Sequence, residues 1–290
     1  MTMIGRGKAK QTNHEWQTDS LAAPAINRAI EGDDAAYLAM APTVRLNDYT
    51  QIFTKAIVVS GTANAVDTAG RREELSYQLT KRSKELKRDM EMAITQNQAS
   101  SAGGAATARS MASMESWIFT NRTSLGTGTN QSTPGWIASS VAAPLDSSVQ
   151  GTITEAALKA VIASCWAAGG EPTKIIVGAY NKRKISAFPG IATQTVQYGS
   201  NVKSQGTILS AADVYVSDFG VLNVVADRFS RDRTALIIDP DYWSLDYLRP
   251  FQQSELAKTG DSEKRMMLTE VTLRASNEAS SGKVTDLATS

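Results

Sequence analysis

Residues 69–96 read AGRREELSYQLTKRSKELKRDMEMAITQ, and the reading of this stretch decides the fold class. Leu75, Leu79, Leu86, Met90, Ala93 and Ile94 recur at helical spacing and form one apolar stripe. The other faces carry Arg71, Arg72, Lys81, Arg82, Glu85, Lys87, Arg88, Asp89 and Glu91. Lys81 with Glu85, and Lys87 with Glu91, are spaced to pair on the surface. Such pairs contribute only ~0.3 kcal/mol each, so they serve solubility more than stability. About 28 helical residues make a rod of roughly 40 Å, long for a compact domain and suited to a strut.

Upstream, residues 43–61 predict a strand. Val44 and Leu46 alternate, Asn47-Asp48 punctuates, and Tyr49, Ile52, Phe53, Ile57, Val58 and Val59 follow. Residues 14–21 predict a short extended segment with Trp16 as its one large apolar side chain, and Gly32-Asp33-Asp34 signals a turn. Together these make a long hairpin or loop of two distant strands, too thin to form a core alone and in need of another surface. Residues 1–12 contain Arg6, Lys8 and Lys10 and no acid, and predict a mobile basic arm.

Downstream, residues 111–119 predict a short helix with Met111, Met114 and Trp117 on one side, and 123–135 a Ser/Thr/Gly linker. Thr152 and Glu155 have capping-box spacing before an apolar helix at 156–168, which Gly169-Gly170 ends. Residues 174–178 predict a buried strand, 181–188 a basic helix and 213–227 a hairpin. Strands are expected at 235–238, 243–248 and 265–275. Helices and strands mix without regular βαβ alternation, which is the α+β class.

Composition narrows the chemistry. The 290 residues hold one Cys and one His at a net charge of +1. One Cys excludes an internal disulfide framework, and one Cys with one His excludes the usual zinc clusters. A nucleophile–His–acid catalyst could use only His14, read as a surface residue beside a strand. Near-neutral charge argues against a dedicated nucleic-acid binder. Residues 1–10 have no apolar leader core, and no run of about 18 apolar residues spans a membrane, so no membrane contact is expected.

The remaining motifs favour plain readings. Gly103-Gly104 and Gly126-x-Gly128 lack the strand–Gly–Lys–helix context of a phosphate loop. The aspartates Asp213, Asp218, Asp227, Asp232, Asp239, Asp241 and Asp246 mostly flank strands and read as turn residues. A metal-dependent enzyme built on them is the rival of another class. Lys182-Arg183-Lys184 reads as a solvated or inter-subunit face, and Cys165 as a packing thiol. A basic-armed DNA-binding module is a third reading. The residues supply no catalytic set, no cofactor site and no metal site, so no enzymatic turnover is expected.

Particular strings then carry a resemblance. Glu15-Trp16-Gln17-Thr18-Asp19-Ser20-Leu21, Glu31-Gly32-Asp33 and Arg45-Leu46-Asn47-Asp48-Tyr49-Thr50-Gln51-Ile52 occur in order. Val59-Ser60-Gly61-Thr62, Ala69-Gly70-Arg71 and Glu85-Leu86-Lys87-Arg88-Asp89-Met90-Glu91 follow. Ser217-Asp218-Phe219-Gly220, Leu256-Ala257-Lys258-Thr259-Gly260-Asp261 and Asn277-Glu278 complete the series. Over nearly the whole chain it resembles the major capsid proteins of tailed bacteriophages.

The resemblance implies the Hong Kong 97-type capsid fold. It implies an N-terminal arm at 1–12, an extended E-loop region at 13–60, and a P domain at 61–148 with a spine helix at 69–96. An A domain at 149–238 and a return to the P domain at 239–290 complete the plan. Family members carry more residues ahead of Gly5-Arg6-Gly7-Lys8, and no scaffolding domain is visible at the N-terminus, so a separate scaffolding protein is expected. The implied function is a virion shell of pentamers and hexamers around double-stranded DNA, assembled in the bacterial host cytoplasm, with portal, scaffolding and decoration proteins as further partners. A cellular nanocompartment shell of the same fold, of the encapsulin kind, is the nearest alternative. Trp16, Tyr49 and Phe53 are the expected apolar anchors between subunits. Arg71, Arg72, Lys81, Arg82, Lys87 and Arg88 are expected to set register between neighbours or to meet DNA.

Overall fold

The computed structural model describes residues 1–32, 34, 37, 39–40, 42–66, 74–127, 135–137, 139–188 and 213–290. Arg71, Arg72, Gly128, Asp33, the first residues of the expected spine helix and 189–212 of the expected A domain lie outside them. In chain order the elements begin with β1 (Gly5–Lys8), β2 (Asn13–Thr18), β3 (Val44–Tyr49), β4 (Gln51–Ser60), α1 (Gly61–Ala65) and α2 (Glu74–Thr95). Then come α3 (Met114–Trp117), β5 (Arg122–Ser124), β6 (Gly135–Ile137), β7 (Ser140–Ala142), α4 (Glu155–Ala167), β8 (Lys174–Val177) and α5 (Ala179–Ser186). The chain continues with β9 (Val214–Ser217), β10 (Gly220–Ala226), β11 (Ala235–Ile238), β12 (Trp243–Glu255), β13 (Ser262–Ala275) and β14 (Gly282–Thr285).

Two large sheets, the strand pairs β2–β3 and β6–β7, and two cores organise the described elements. The four-stranded sheet has the order β1-β12-β13-β4, and the six-stranded sheet the order β5-β14-β11-β8-β10-β9. The stripe of α2 buries Leu86, Met90, Ala93 and Ile94 against Phe53 of β4, Trp243 and Leu245 of β12, and Val271 and Leu273 of β13. A second core joins α4 and α5 to the six-stranded sheet through Leu158, Val161, Ile162, Ile185, Ile175, Leu222 and Ile237. Within β8 and β11, Ile176, Leu236 and Ile238 face the first core while Ile175, Val177, Ala235 and Ile237 face the second. Both faces of this sheet are therefore buried, which explains why β11 is an uninterrupted apolar run.

Several elements differ from the sequence reading, each for a local reason. The basic arm is not free: β1 pairs in parallel with Ser244–Tyr247, and Ala9 is buried. A Cβ at Gly7 would collide with the Asp246 carboxylate, so glycine lets this strand approach. Strand β12 runs on to Glu255 through Pro250, in a stretch where its register with β13 shifts twice. Proline lacks a donor and is tolerated at such an irregular edge. The α4 cap is Thr154, whose hydroxyl accepts from the Ala157 amide, two residues beyond the expected Thr152. Gly169, at φ 84, ends the helix as expected.

The sheets join strands from several of the expected segments. Strands β1 and β4, expected in the arm and the E-loop, are the two edges of the four-stranded sheet. The six-stranded sheet recruits β5 and β14 from outside 149–238.

Candidate assembly surface

The strand pair β2–β3 joins Asn13–Thr18 to Val44–Tyr49, and 25 residues separate its two inner ends, Thr18 and Val44. Every described residue from 19 to 43 is exposed and carries neither helix nor strand. Leu21, Ile26, Ile30, Tyr37 and Met40 are 77–98% exposed, far beyond what scattered surface apolar residues need. Sequence periodicity could not find them, because they follow no regular spacing. The signal was their density in a polar, turn-rich stretch.

The root of this segment lies on the four-stranded sheet through one tryptophan and a row of buried polar groups. Trp16, the one buried residue of β2, packs on Trp117 at 5.5 Å between ring centroids. Its Nε1–H donates to the Ala275 carbonyl at 2.9 Å. The polar row begins at Asp246 on β12, which binds His14 Nε2 at 2.8 Å and accepts from Ser244 Oγ at 2.7 Å. Arg274 Nε lies 3.4 Å from the same carboxylate. Burial pushes the Asp246 carboxyl up, but His14, Ser244 and Arg274 outweigh it and hold it below the ordinary carboxylate range.

Next in the row is Asp48, fully buried on β3. Burial dominates there and raises its carboxyl well above the ordinary range, although the amides of Ala112 and Tyr49 donate to it at 3.0 and 2.8 Å. The row ends at Glu270 on β13, which accepts from Thr50 at 2.6 Å, Arg109 at 2.8 Å and Arg249 at 2.7 Å. Burial pushes Glu270 up, and these partners bring it below the ordinary range. A buried polar seam of this kind fixes register, because a slip would leave charges unpaired.

The structure places the sequence-predicted contact residues as follows. Trp16 and Phe53 are members of the chain's own core. Tyr49 is half-buried at the root. His14 is a half-buried member of the seam and not a plain surface residue. On α2, Lys81, Lys87 and Arg88 are exposed. Glu85 pairs with Arg82 at 2.6 Å instead of the expected Lys81. Lys87 Nζ lies 5.9 Å over the Phe251 ring, and the Arg88 guanidinium 5.1 Å over Phe229.

A charge cluster, buried at Glu115 and Lys283 and open at Asp146, links distant segments. Arg231 joins Glu115 at 3.1 Å to Asp146 at 2.6 Å. Lys283 donates to the Glu115 carbonyl oxygen, and burial pushes its amine down to about 8. The Cys165 thiol is buried and pushed up to about 12, as a packing thiol is. Asp239 accepts from the Asp241 amide and Asp227 from the Phe229 amide, which are turn roles. Among the described residues no three His, Cys, Asp or Glu side chains are placed to hold a metal ion.

This architecture is shared with solved virus shells. The capsid asymmetric unit of cyanophage A-1(L) aligns at a TM-score of 0.66 with 11% identity, covering 99% of this chain and 92% of that one. A chain of the native GTA particle capsid aligns at 0.59 with 11% identity, covering 99% and 89%. Mycobacterium phage Cain gives 0.58 with 9% identity over 98% and 89%. The fold is the Hong Kong 97-type fold of tailed-phage capsid proteins. The SU10 major capsid protein model matches residues 1–288, and the chain belongs to that family. A 100-residue stretch is also 44% identical to the major capsid protein of Escherichia phage Phieco32, spanning 34% of this chain and 28% of that relative.

Proposed function

We propose that this chain is the repeating unit of an icosahedral virion shell, assembling into pentamers and hexamers that enclose double-stranded DNA. The observation that carries this reading is the exposed apolar segment 19–43 on a rigidly seated root. Five large apolar side chains in water are costly for a lone subunit, at about 1.5–3 kcal/mol each relative to burial. A neighbouring copy supplies the cover. Lys81, Lys87 and Arg88 on the open side of α2 set register with a neighbour or meet DNA, and Arg71 and Arg72 extend the same basic series. In this reading the strand pair β2–β3 with 19–43 is the E-loop. The four-stranded sheet with α2 is the P domain, and the six-stranded sheet with α4 and α5 is the A domain. Assembly takes place in the bacterial host cytoplasm, with portal, scaffolding and decoration proteins as partners.

The test is the variant Leu21→Ser/Ile26→Ser/Ile30→Ser, examined by light scattering and electron microscopy. Shells from the wild type and dispersed, folded subunits from the variant support the proposal. Normal shells from the variant refute the role of the segment. Nucleic acid inside the particles, rather than a protein cargo, separates the virion from the nanocompartment.

A further inference from the structure

The chain's single histidine stands at the root of the segment proposed to reach a neighbour. Its setting is built from four strands. Asp246 and Ser244 come from β12, and Arg274 from β13. Asp48 is the residue opposite His14 on β3. From β1, Gly7 faces the Asp246 carboxylate with no side chain of its own. Arg6 and Lys8 alternate to the other face of that strand. On its own strand His14 lies 5.6 Å from the Trp16 ring.

The contact between His14 and Asp246 joins residues 232 positions apart and ties the β2–β3 pair to the sheet. Asp246 itself is 3% exposed, so the attachment is shielded from solvent screening. Around it, Asp48 is turned onto the Ala112 and Tyr49 amides, and Arg274 also donates to Ser244 at 2.9 Å. His14 is thus the side chain that approaches Asp246 from the β2–β3 side, while Arg274 approaches from the sheet itself.

We infer that His14 and Asp246 form a pH-operated latch that sets how tightly the root of segment 19–43 is held to the sheet. This rests on the reading of that segment as the subunit's reaching arm. With imidazolium the hydrogen bond is charge-assisted and the root is clamped. With neutral imidazole the charge is lost, Asp246 keeps Ser244 and Arg274, and the strand pair loosens. Imidazole is the side chain whose unperturbed charge change falls between about pH 5 and 8, whereas a guanidinium such as that of Arg274 stays charged throughout. A charge-assisted bond is roughly twice as strong as a neutral one, which sets the expected loss of protection at about fivefold.

The experiment is hydrogen–deuterium exchange on the unassembled full chain at pH 5.5 and 8.5, corrected for intrinsic exchange, comparing wild type with His14→Gln. The expected result is a loss of protection of the β2 and β3 amides between pH 5.5 and 8.5 that is about fivefold larger in the wild type than in the variant, because the raised Asp48 carboxyl on β3 contributes equally to both. Asp246→Asn gives the same comparison in a chain that keeps its imidazole and is expected to show the same reduced loss. Adding Asp48→Asn to each chain is expected to remove the shared part and to keep the fivefold difference. Equal pH profiles in wild type and both latch variants overturn the inference, as does a flat wild-type profile. A flat profile in subunits that nonetheless form shells overturns the latch alone. The fivefold difference in a chain that forms no shell supports the latch and refutes the shell reading.

Discussion

Replacing Trp16 with alanine separates two roles that the sequence could not. As a core residue, Trp16 loses its packing on Trp117 and its hydrogen bond to Ala275 when truncated. Removing a buried tryptophan costs about 3–5 kcal/mol, and the Ala275 carbonyl left without its donor adds about 1 kcal/mol or more. The unassembled subunit is therefore expected to lose roughly 4–6 kcal/mol of unfolding free energy, a large fraction of what a domain has. Trp16→Phe keeps most of the ring contact and loses the donor, so it is expected to cost only about 1–2 kcal/mol. Denaturant unfolding followed by far-ultraviolet circular dichroism reads both, avoiding the fluorescence of the other four tryptophans. A Trp16→Ala subunit within about 1 kcal/mol of wild type, but unable to assemble, would refute the core assignment and restore Trp16 as an anchor between subunits.

Leu86→Ala, on the fully buried face of α2, is expected to cost about 2–5 kcal/mol in the same unfolding assay. Gly7→Ala forces Asp246 aside and is expected to destabilise by about 1–3 kcal/mol, with increased exchange of the β1 amides. Asp48 carries a raised carboxyl, so its native form holds a proton that the unfolded form releases first. Its contribution therefore falls as pH rises from the ordinary carboxylate range to its native value. Asp48→Asn is expected to remove that decline, giving a flatter stability profile above about pH 4. Asp246 and Glu270 act oppositely: their lowered carboxyls stabilise above the ordinary range and lose that contribution as pH falls through their native values. An acid titration of Asp246→Asn should show a shallower acid limb than wild type.

What was legible in the sequence was what local spacing encodes. The stripe of α2, the α4 helix ended by Gly169 and the β9–β10 hairpin follow from periodicity and turn residues, and the outline of the shell fold was implied by the resemblance alone. Long-range polar pairing was not legible. His14 meets Asp246, and Asp48 meets the Ala112 amide, across separations that no window of sequence spans. Strand β1 was hidden because its glycines signal looseness when read alone, whereas Gly7 is required by a carboxylate more than two hundred residues away. The exposed apolar side chains of 19–43 were hidden for the opposite reason, since nothing within one chain organises them.

The central claim is that this subunit completes its surface with copies of itself. Size-exclusion chromatography with light scattering, followed by electron microscopy of each peak, tests it most directly. The expected result is shells or tubes built of pentamers and hexamers, with segment 19–43 lying on a neighbouring subunit. A chain that stays monomeric at every salt concentration and under crowding, with 19–43 still open to water, would contradict it.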